Sequence, residues 1–126
     1  MKHMPKAIVV DDSRAIRMIL ARTLREAGFD VSEAGNGEEA LQVLQCLDVV
    51  DLVMADWNMP VMDGLELLKQ IRADSRHAAT PVIMVTTEAE VEQMAIALDC
   101  GANEYVMKPF TKDILLDKLR LAGVAA

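Results

Sequence analysis

The sequence AIVVDD at residues 7–12 ends a short apolar run with two adjacent carboxylates. A continuous apolar run of this length is typical of a strand that is buried on both faces of a parallel sheet. Short strand-like runs recur along the chain, and the five predicted strands are Ala7–Val10, Asp30–Ala34, Asp51–Ala55, Pro81–Val85 and Glu104–Met107.

A helical pattern of apolar residues, spaced three and four apart, follows each predicted strand. Asn36 and Thr111 are the predicted N-caps of the second and fifth helices, and Gly28 is the predicted end of the first. The predicted core positions of the five helices are, in order, Ile16, Ile19, Leu20 and Leu24; Ala40, Leu41, Leu44 and Leu47; Leu65, Leu68 and Ile71; Val91, Met94, Ala95 and Leu98; Leu115, Leu116 and Leu119.

Strict alternation of strand and helix predicts an α/β protein with a parallel sheet that is covered by helices on both faces. The 126 residues suit one domain. We expect this domain to span residues 4–122. Residues 1–3 are interpreted as a cloning remnant, because of the His3-Met4 pair.

Composition excludes several classes of function. A net charge of −7 disfavours binding to nucleic acid or to anionic membranes through charge. The sequence has neither an apolar segment of bilayer-spanning length nor a signal peptide at its start, so a cytoplasmic location is expected. Cys46 and Cys100 form no CxxC motif and are expected to be small buried hydrophobes.

Polar residues follow four of the predicted strands. They are Asp11 and Asp12, Asp56, Thr86 and Lys108. Because the carboxyl ends of parallel strands meet at one edge of the sheet, where ligands bind, these side chains are expected to converge.

Three converging carboxylates repel one another by about 1–4 kcal/mol per close pair, so a compensating cation is expected. Hard divalent cations prefer carboxylate and carbonyl oxygens. Mg²⁺ fits best because it commonly bridges one or two carboxylates to a phosphate, and Mn²⁺ is the alternative.

A carboxylate in such a pocket can act as a nucleophile toward phosphorus and give an aspartyl phosphate. Lys108 would neutralise one phosphoryl oxygen and Thr86 would donate a hydrogen bond to another. Spacing alone does not identify the nucleophile. Asp56 is the best candidate because it stands alone on a central strand, whereas Asp11 and Asp12 form an adjacent pair typical of metal ligands.

From Ile8 to Leu121, the chain resembles the receiver domains of bacterial two-component response regulators, in particular the CheY-like ones. The motifs that carry the resemblance are Val9-Val10-Asp11-Asp12-Ser13, Asp56-Trp57-Asn58-Met59-Pro60 with Met62-Asp63-Gly64, Thr86-Thr87-Glu88, and Tyr105-Val106-Met107-Lys108-Pro109-Phe110. The resemblance implies a flavodoxin-like (βα)5 fold with strand order 2-1-3-4-5.

The resemblance also implies roles in metal and phosphoryl binding. Asp56 matches the phosphoacceptor and a metal ligand, and Asp12 matches the direct metal ligand. Asp11 matches the acid that acts through water, and Asn58 matches the position whose backbone carbonyl binds the metal.

Three further residues match the family's activation machinery. Lys108 corresponds to the lysine that pairs with the phosphoryl group, and Lys108-Pro109 is expected to be a cis peptide. Thr86 matches the switch hydroxyl, and Tyr105 matches the aromatic residue that turns inward on activation. Simple packing at the sheet edge is the alternative for Tyr105.

The resemblance implies that the partners are proteins. The phosphoryl donor is a phosphohistidine on a sensor histidine kinase or a phosphotransfer domain, and the unknown output partner binds helix 4, strand 5 and helix 5. The domain would promote its own phosphorylation and dephosphorylation without acting on outside substrates. A monomer is expected, with a dimer through the same surface as the alternative.

Two other functions compete with this interpretation. A phosphatase of the haloacid-dehalogenase type also uses an Asp nucleophile and Mg²⁺, but it has a second Asp where this chain has Asn58. A degenerate receiver would lack part of the set of site residues.

The chain departs from the pattern of motor-binding CheY-like receivers at two places, with Glu90-Val91 in place of lysines and Ser13 in place of Phe. These departures leave the pathway open and disfavour binding to the flagellar motor.

At several positions a purely structural role is the alternative to a functional one. Asp11-Asp12 and Thr86-Thr87 could be helix caps, and Lys108-Pro109 could be a plain turn. Trp57 is expected at the rim of the site. His77 is expected to be solvated in a polar loop, since no catalytic partner lies near it in sequence.

Overall fold

The computed structural model describes residues 4–87 and 92–124. A five-stranded parallel sheet has the order β2-β1-β3-β4-β5, which confirms the predicted fold class and strand order. The strands are β1 (Lys6–Val10), β2 (Asp30–Ala34), β3 (Leu52–Asp56), β4 (Val82–Thr86) and β5 (Glu104–Met107).

Five helices cover both faces of this sheet, and they are α1 (Arg14–Glu26), α2 (Gly37–Cys46), α3 (Gly64–Ala73), α4 (Met94–Asp99) and α5 (Lys112–Leu121). One core cluster combines sheet residues with side chains of α2, α3 and α4, and a second combines them with side chains of α1 and α5. In the described part of the chain, every helix is too short or too polar to cross a bilayer.

The predicted helix ends are confirmed. The side chain of Asn36 accepts a hydrogen bond from the Glu39 amide, and Thr111 accepts one from the Ile114 amide, which satisfies donors that a helix start leaves unpaired. Gly28 follows α1 with a φ of +102°, a conformation that favours glycine. Local capping chemistry therefore sets these boundaries.

Some predicted core positions are wrong. Ile19 is 54% exposed and Leu98 is 43% exposed. Helices α1 and α4 lie against the sheet on narrower faces than their apolar patterns suggest, so α4 buries Met94 and Ala97 while Ala95 is exposed. The predicted core residue Val91 lies outside the described residues.

Cys46 is exposed, not buried, whereas Cys100 is partly buried. Cys46 is two positions beyond the buried Leu44, so it points about 200° around α2 from the core. The expectation that both cysteines are small core residues is therefore wrong for Cys46.

Trp57 and His77 are buried, which corrects both predictions. Trp57 is 8% exposed and packs in the core, because its amide extends the sheet by bonding the Val85 carbonyl. His77 is 1% exposed, since its amide bonds the Asp74 carbonyl and folds the α3–β4 connection into a compact turn.

Arg72, at the end of α3, connects two loops. Its guanidinium donates to the carbonyls of Gly101 (2.8 and 3.0 Å), Thr80 (2.8 Å) and His77 (3.3 Å), and to the side chain of Asn103 (3.0 Å). Gly101 has a φ of +110°, and a Cβ there would lie 2.8 Å from Arg72 Nε. We call these contacts the Arg72 network.

Gly101→Ala is expected to destabilise the fold by about 3–4 kcal/mol. About 1–2 kcal/mol comes from the positive φ, and the rest comes from the carbonyls that a displaced Arg72 leaves unpaired. Gly28→Ala is the matched control, since its φ is similar and a Cβ there meets nothing within 4 Å. Equal losses in urea unfolding of the two variants would show that the Arg72 network contributes little.

Candidate functional site

The predicted site residues lie at one edge of the sheet. Register pairs Val10 with Ala55, Asp56 with Val85, and Thr86 with Met107. The residues that follow β1 and β5 therefore lie beside the ends of β3 and β4.

Three carboxylates meet at this edge. Oxygen atoms of Asp11, Asp12 and Asp56 all lie within 4.8 Å of one another. Asp11 is fully buried and Asp56 nearly so, whereas Asp12 is exposed. Asp11 Oδ1 also accepts a hydrogen bond from the Ser13 amide at 2.8 Å, which holds this carboxylate at the start of α1.

Lys108 joins the carboxylates from β5. Its Nζ lies 3.2 Å from Asp11 Oδ2 and 3.3 Å from Asp56 Oδ1. The Lys108 amide donates to the Thr86 carbonyl, which ties the residue to the end of β4. The Lys108-Pro109 bond is cis, as expected.

The electrostatics of the site leave a negative excess. Burial is the main cause that raises the pKa of Asp56 to about 6, and the charge of Asp11 adds to it while Lys108 partly offsets it. Burial opposes the charge of Lys108, but the carboxylates of Asp56 and Asp11 outweigh it and raise the Lys108 pKa. The three carboxylates supply oxygen ligands that fit a hard divalent cation, and the single ammonium of Lys108 offsets only part of their charge.

Thr86 and Tyr105 share one face of the sheet. Tyr105 pairs with Met84, two residues before Thr86, so both side chains project to the same side. Thr86 is fully buried and its hydroxyl donates to the Thr87 carbonyl at 3.3 Å. Tyr105 is half-buried, and Lys118 Nζ lies 4.7 Å from its ring centroid.

Asn58 lies in the β3–α3 loop with an exposed side chain. The loop closes through a hydrogen bond of 2.9 Å from the Gly64 amide to the Trp57 carbonyl. A Cβ at Gly64 would clash with the Asp56 carbonyl oxygen, so glycine is required for this close approach.

Sequence reasoning missed two residues that support the site. Arg17 Nη1 donates to the Asp11 carbonyl at 2.7 Å, and Arg17 Nε lies 3.2 Å from Glu33 Oε1. Gly64 is the second of these residues, because it packs on the backbone of Asp56. A positive residue one turn into the helix after Asp11-Asp12 was the available signal for Arg17.

Known proteins resemble this chain in sequence and in structure. Chemotaxis protein CheY1 of Helicobacter pylori is 44% identical over 117 residues, which cover 92% of this chain and 94% of that protein. The chemotaxis protein CheY homolog of Campylobacter jejuni is 45% identical over 115 residues, covering 90% and 88%. The structure of CheY4 from Vibrio cholerae superposes with a TM-score of 0.88 at 38% identity and covers 95% of this chain.

The family of response regulator receiver domains matches residues 7–120, from β1 into α5. This range contains the acidic cluster, Lys108, Thr86 and Tyr105, and it includes all five strands except the first residue of β1. The chain therefore belongs to the response regulator receiver domain family, a class of signalling domains in two-component systems.

Proposed function

We propose that this chain accepts a phosphoryl group on Asp56, in a reaction that requires Mg²⁺, and then changes a partner-binding surface. The observation that carries the proposal is the cluster of Asp11, Asp12 and Asp56 carboxylates with Lys108 bonded to two of them. Catalysis of phosphoryl transfer depends mainly on positioning and on neutralised charge, which such a cluster can supply.

Each site residue has a proposed role, and Asp56 has two. An oxygen of Asp56 forms a bond to phosphorus as the P–N bond to the donor imidazole breaks. The Asp12 and Asp56 carboxylates and the Asn58 backbone carbonyl would hold the metal directly, and Asp11 would hold it through water. The ion, when bound, neutralises charge on the phosphoryl oxygens. Lys108 then exchanges its contact with the Asp56 carboxylate for a phosphoryl oxygen.

The donor is a phosphohistidine on a sensor histidine kinase or phosphotransfer domain. Helix α1 begins two residues after the acidic pair and exposes Met18 and Ile19. With Ala15, Arg22 and Thr23, these two residues line a cavity of about 380 Å³. Exposed apolar residues next to an active edge favour a docked protein partner.

The switch is proposed to run from Thr86 to Tyr105. A phosphoryl group on Asp56 adds about two negative charges and offers the Thr86 hydroxyl an acceptor. An inward movement of Thr86 would vacate space on the face of the sheet that Tyr105 shares. The surface formed by α4, β5 and α5 would then change its shape and its affinity for an output partner.

The domain is proposed to span residues 4–122 and to act as a monomer in the cytoplasm, with a dimer through α4, β5 and α5 as the alternative.

Chemotaxis is the pathway that the names of the curated relatives favour. Glu90 and Val91, the departures that disfavour binding to the flagellar motor, lie outside the described residues. A binding measurement between the beryllofluoride-activated protein and a peptide from the flagellar switch would show whether the flagellar motor is the output partner.

The alternative of a phosphatase that turns over outside substrates is disfavoured by Asn58, because an amide cannot transfer protons as a second Asp would. Incubation with Mg²⁺ and a small phosphodonor should therefore give a mass increase of one phosphoryl group. Steady hydrolysis of a phosphate ester such as p-nitrophenyl phosphate would favour the phosphatase, and no mass increase would favour a degenerate receiver.

Mg²⁺ is expected to change the fluorescence of Trp57 saturably, because this single tryptophan follows the proposed ligand Asp56 directly. Asp12→Ala should weaken the response by about tenfold or more, since it removes the one exposed carboxylate of the cluster. Asp48→Ala, an exposed residue between α2 and β3, is the matched control. Equal titrations of wild type and Asp12→Ala would remove Asp12 from the metal site.

A further inference from the structure

The β3–α3 loop contains a strained residue. Val61 has a φ of +71°, which is an outlier for a β-branched residue. The Met62 amide donates to the Pro60 carbonyl at 2.7 Å, so the backbone makes a tight three-residue turn around Val61. Such a conformation persists only where surrounding contacts impose it.

Val61 does not supply those contacts itself, because it is 75% exposed. The next side chain, Met62, is partly buried and packs against the core cluster that includes α2 and α3. It lies directly against Gly37, the first residue of α2, where an added Cβ would be 2.9 Å from both Met62 Cγ and Sδ. Glycine at position 37 therefore makes room for Met62.

Two further contacts hold the end of the loop that leads into α3. Gly64 bonds the Trp57 carbonyl, and the Asp63 side chain caps α3 by accepting from the Glu66 amide. The contact between Met62 and Gly37 instead joins the middle of the loop to a different helix. Asn58 belongs to the same loop, three residues before Val61.

We propose that Met62, seated against Gly37, is a positioning residue that maintains the strained turn at Val61 and so holds the Asn58 carbonyl in place for Mg²⁺. The inference rests on the proposed function, which assigns that carbonyl to the metal. Without the contact between Met62 and Gly37, Val61 relaxes toward negative φ and the carbonyls of the loop move. Metal affinity then falls although every carboxylate ligand is unchanged.

The test compares Mg²⁺ titrations of Met62→Ala and Gly37→Ala with wild type, followed by Trp57 fluorescence. Both variants are expected to bind Mg²⁺ about tenfold more weakly, the usual scale for the loss of an outer positioning contact. Met62→Leu is the conservative control and should bind within a few-fold of wild type, because it still fills the space at Gly37.

The second arm distinguishes positioning from a general loss of packing. Val61→Gly added to Met62→Ala should restore most of the Mg²⁺ affinity, because glycine adopts positive φ without strain. It would not restore the stability lost with the Met62 side chain. In metal-free protein, the Met62→Ala substitution should also accelerate hydrogen exchange of the residue-62 amide, which bonds the Pro60 carbonyl in wild type.

The possible results distinguish a failure of the proposed role of Met62 from a failure of the proposed function. Unchanged Mg²⁺ affinity in folded Met62→Ala, or a loss that Val61→Gly does not restore, overturns the inference alone. A wild-type protein that shows no response to Mg²⁺ overturns the proposed function, and the inference with it.

Discussion

Asp56→Asn is expected to raise the melting temperature of the metal-free protein by several degrees. Asp56 is buried beside Asp11, and these two causes raise its pKa to about 6, so its charged form is disfavoured in the fold at neutral pH. The neutral amide removes that penalty, which is on the order of 1–3 kcal/mol, although the contact with Lys108 is lost. Thermal unfolding in a metal chelator measures the change.

The gain should depend on pH in a defined direction. Because the folded pKa of Asp56 lies above the unfolded value of 3.8, its penalty is complete above the folded value and disappears as pH falls from about 7 to about 4. Wild type and Asp56→Asn should therefore converge in stability at the acid end of this range. Asp48→Asn, an exposed control, should match wild type throughout. A variant less stable than wild type at pH 7 would contradict the account.

Thr86→Ala is expected to retain phosphoryl acceptance on Asp56 and to lose the coupling to α4, β5 and α5. Phosphorylation shifts an equilibrium only through contacts that differ between its two states, and the Thr86 hydroxyl is the proposed contact. A hydrogen bond to a charged acceptor contributes about 1.5–3 kcal/mol, so the population shift should fall by about tenfold or more. NMR shifts across residues 92–107, with and without beryllofluoride, measure the response.

Two controls sharpen this measurement. Thr86→Ser keeps a hydroxyl and should respond nearly as wild type does. Thr87→Ala changes the exposed neighbour while preserving the carbonyl that the Thr86 hydroxyl bonds. A full response in Thr86→Ala would show that this hydroxyl is not the relay.

The sequence allowed the sheet and its polar edge to be predicted because both follow from simple geometry. Apolar runs such as Ile8–Val10 have to be buried on both faces, and polar residues directly after them have to meet where parallel strands end. Lys108 and Asp11 are 97 positions apart, yet their side chains are bonded in the site. The roles assigned to individual site residues came from the family resemblance and stay predictions.

Features that depend on the packing of loops were not predictable. His77 and Trp57 were expected in contact with solvent, but both are buried, because the turn after α3 and the extension of β3 fold them inward. Apolar periodicity also placed Ile19 in the core, although the sheet covers a narrower face of α1. A helical pattern indicates which residues could be buried, whereas the neighbouring elements decide which are.

The strained turn at Val61 gave no signal in sequence either. Valine disfavours positive φ, so its local preference predicts another conformation. The contact that accompanies it joins Met62 of the β3–α3 loop to Gly37 at the start of α2. Only the assembled sheet edge brings them together.

The central claim is that Asp56 carries the phosphoryl group, and the most direct measurement locates it chemically. The protein is incubated with Mg²⁺ and a small phosphodonor, and hydride reduction then converts any aspartyl phosphate to homoserine, which peptide mass mapping identifies. Homoserine at position 56 in wild type, and at no position in Asp56→Asn or after chelation of Mg²⁺, is the predicted result. Homoserine at position 11 or 12 in wild type, or equal labelling without Mg²⁺, would contradict the account.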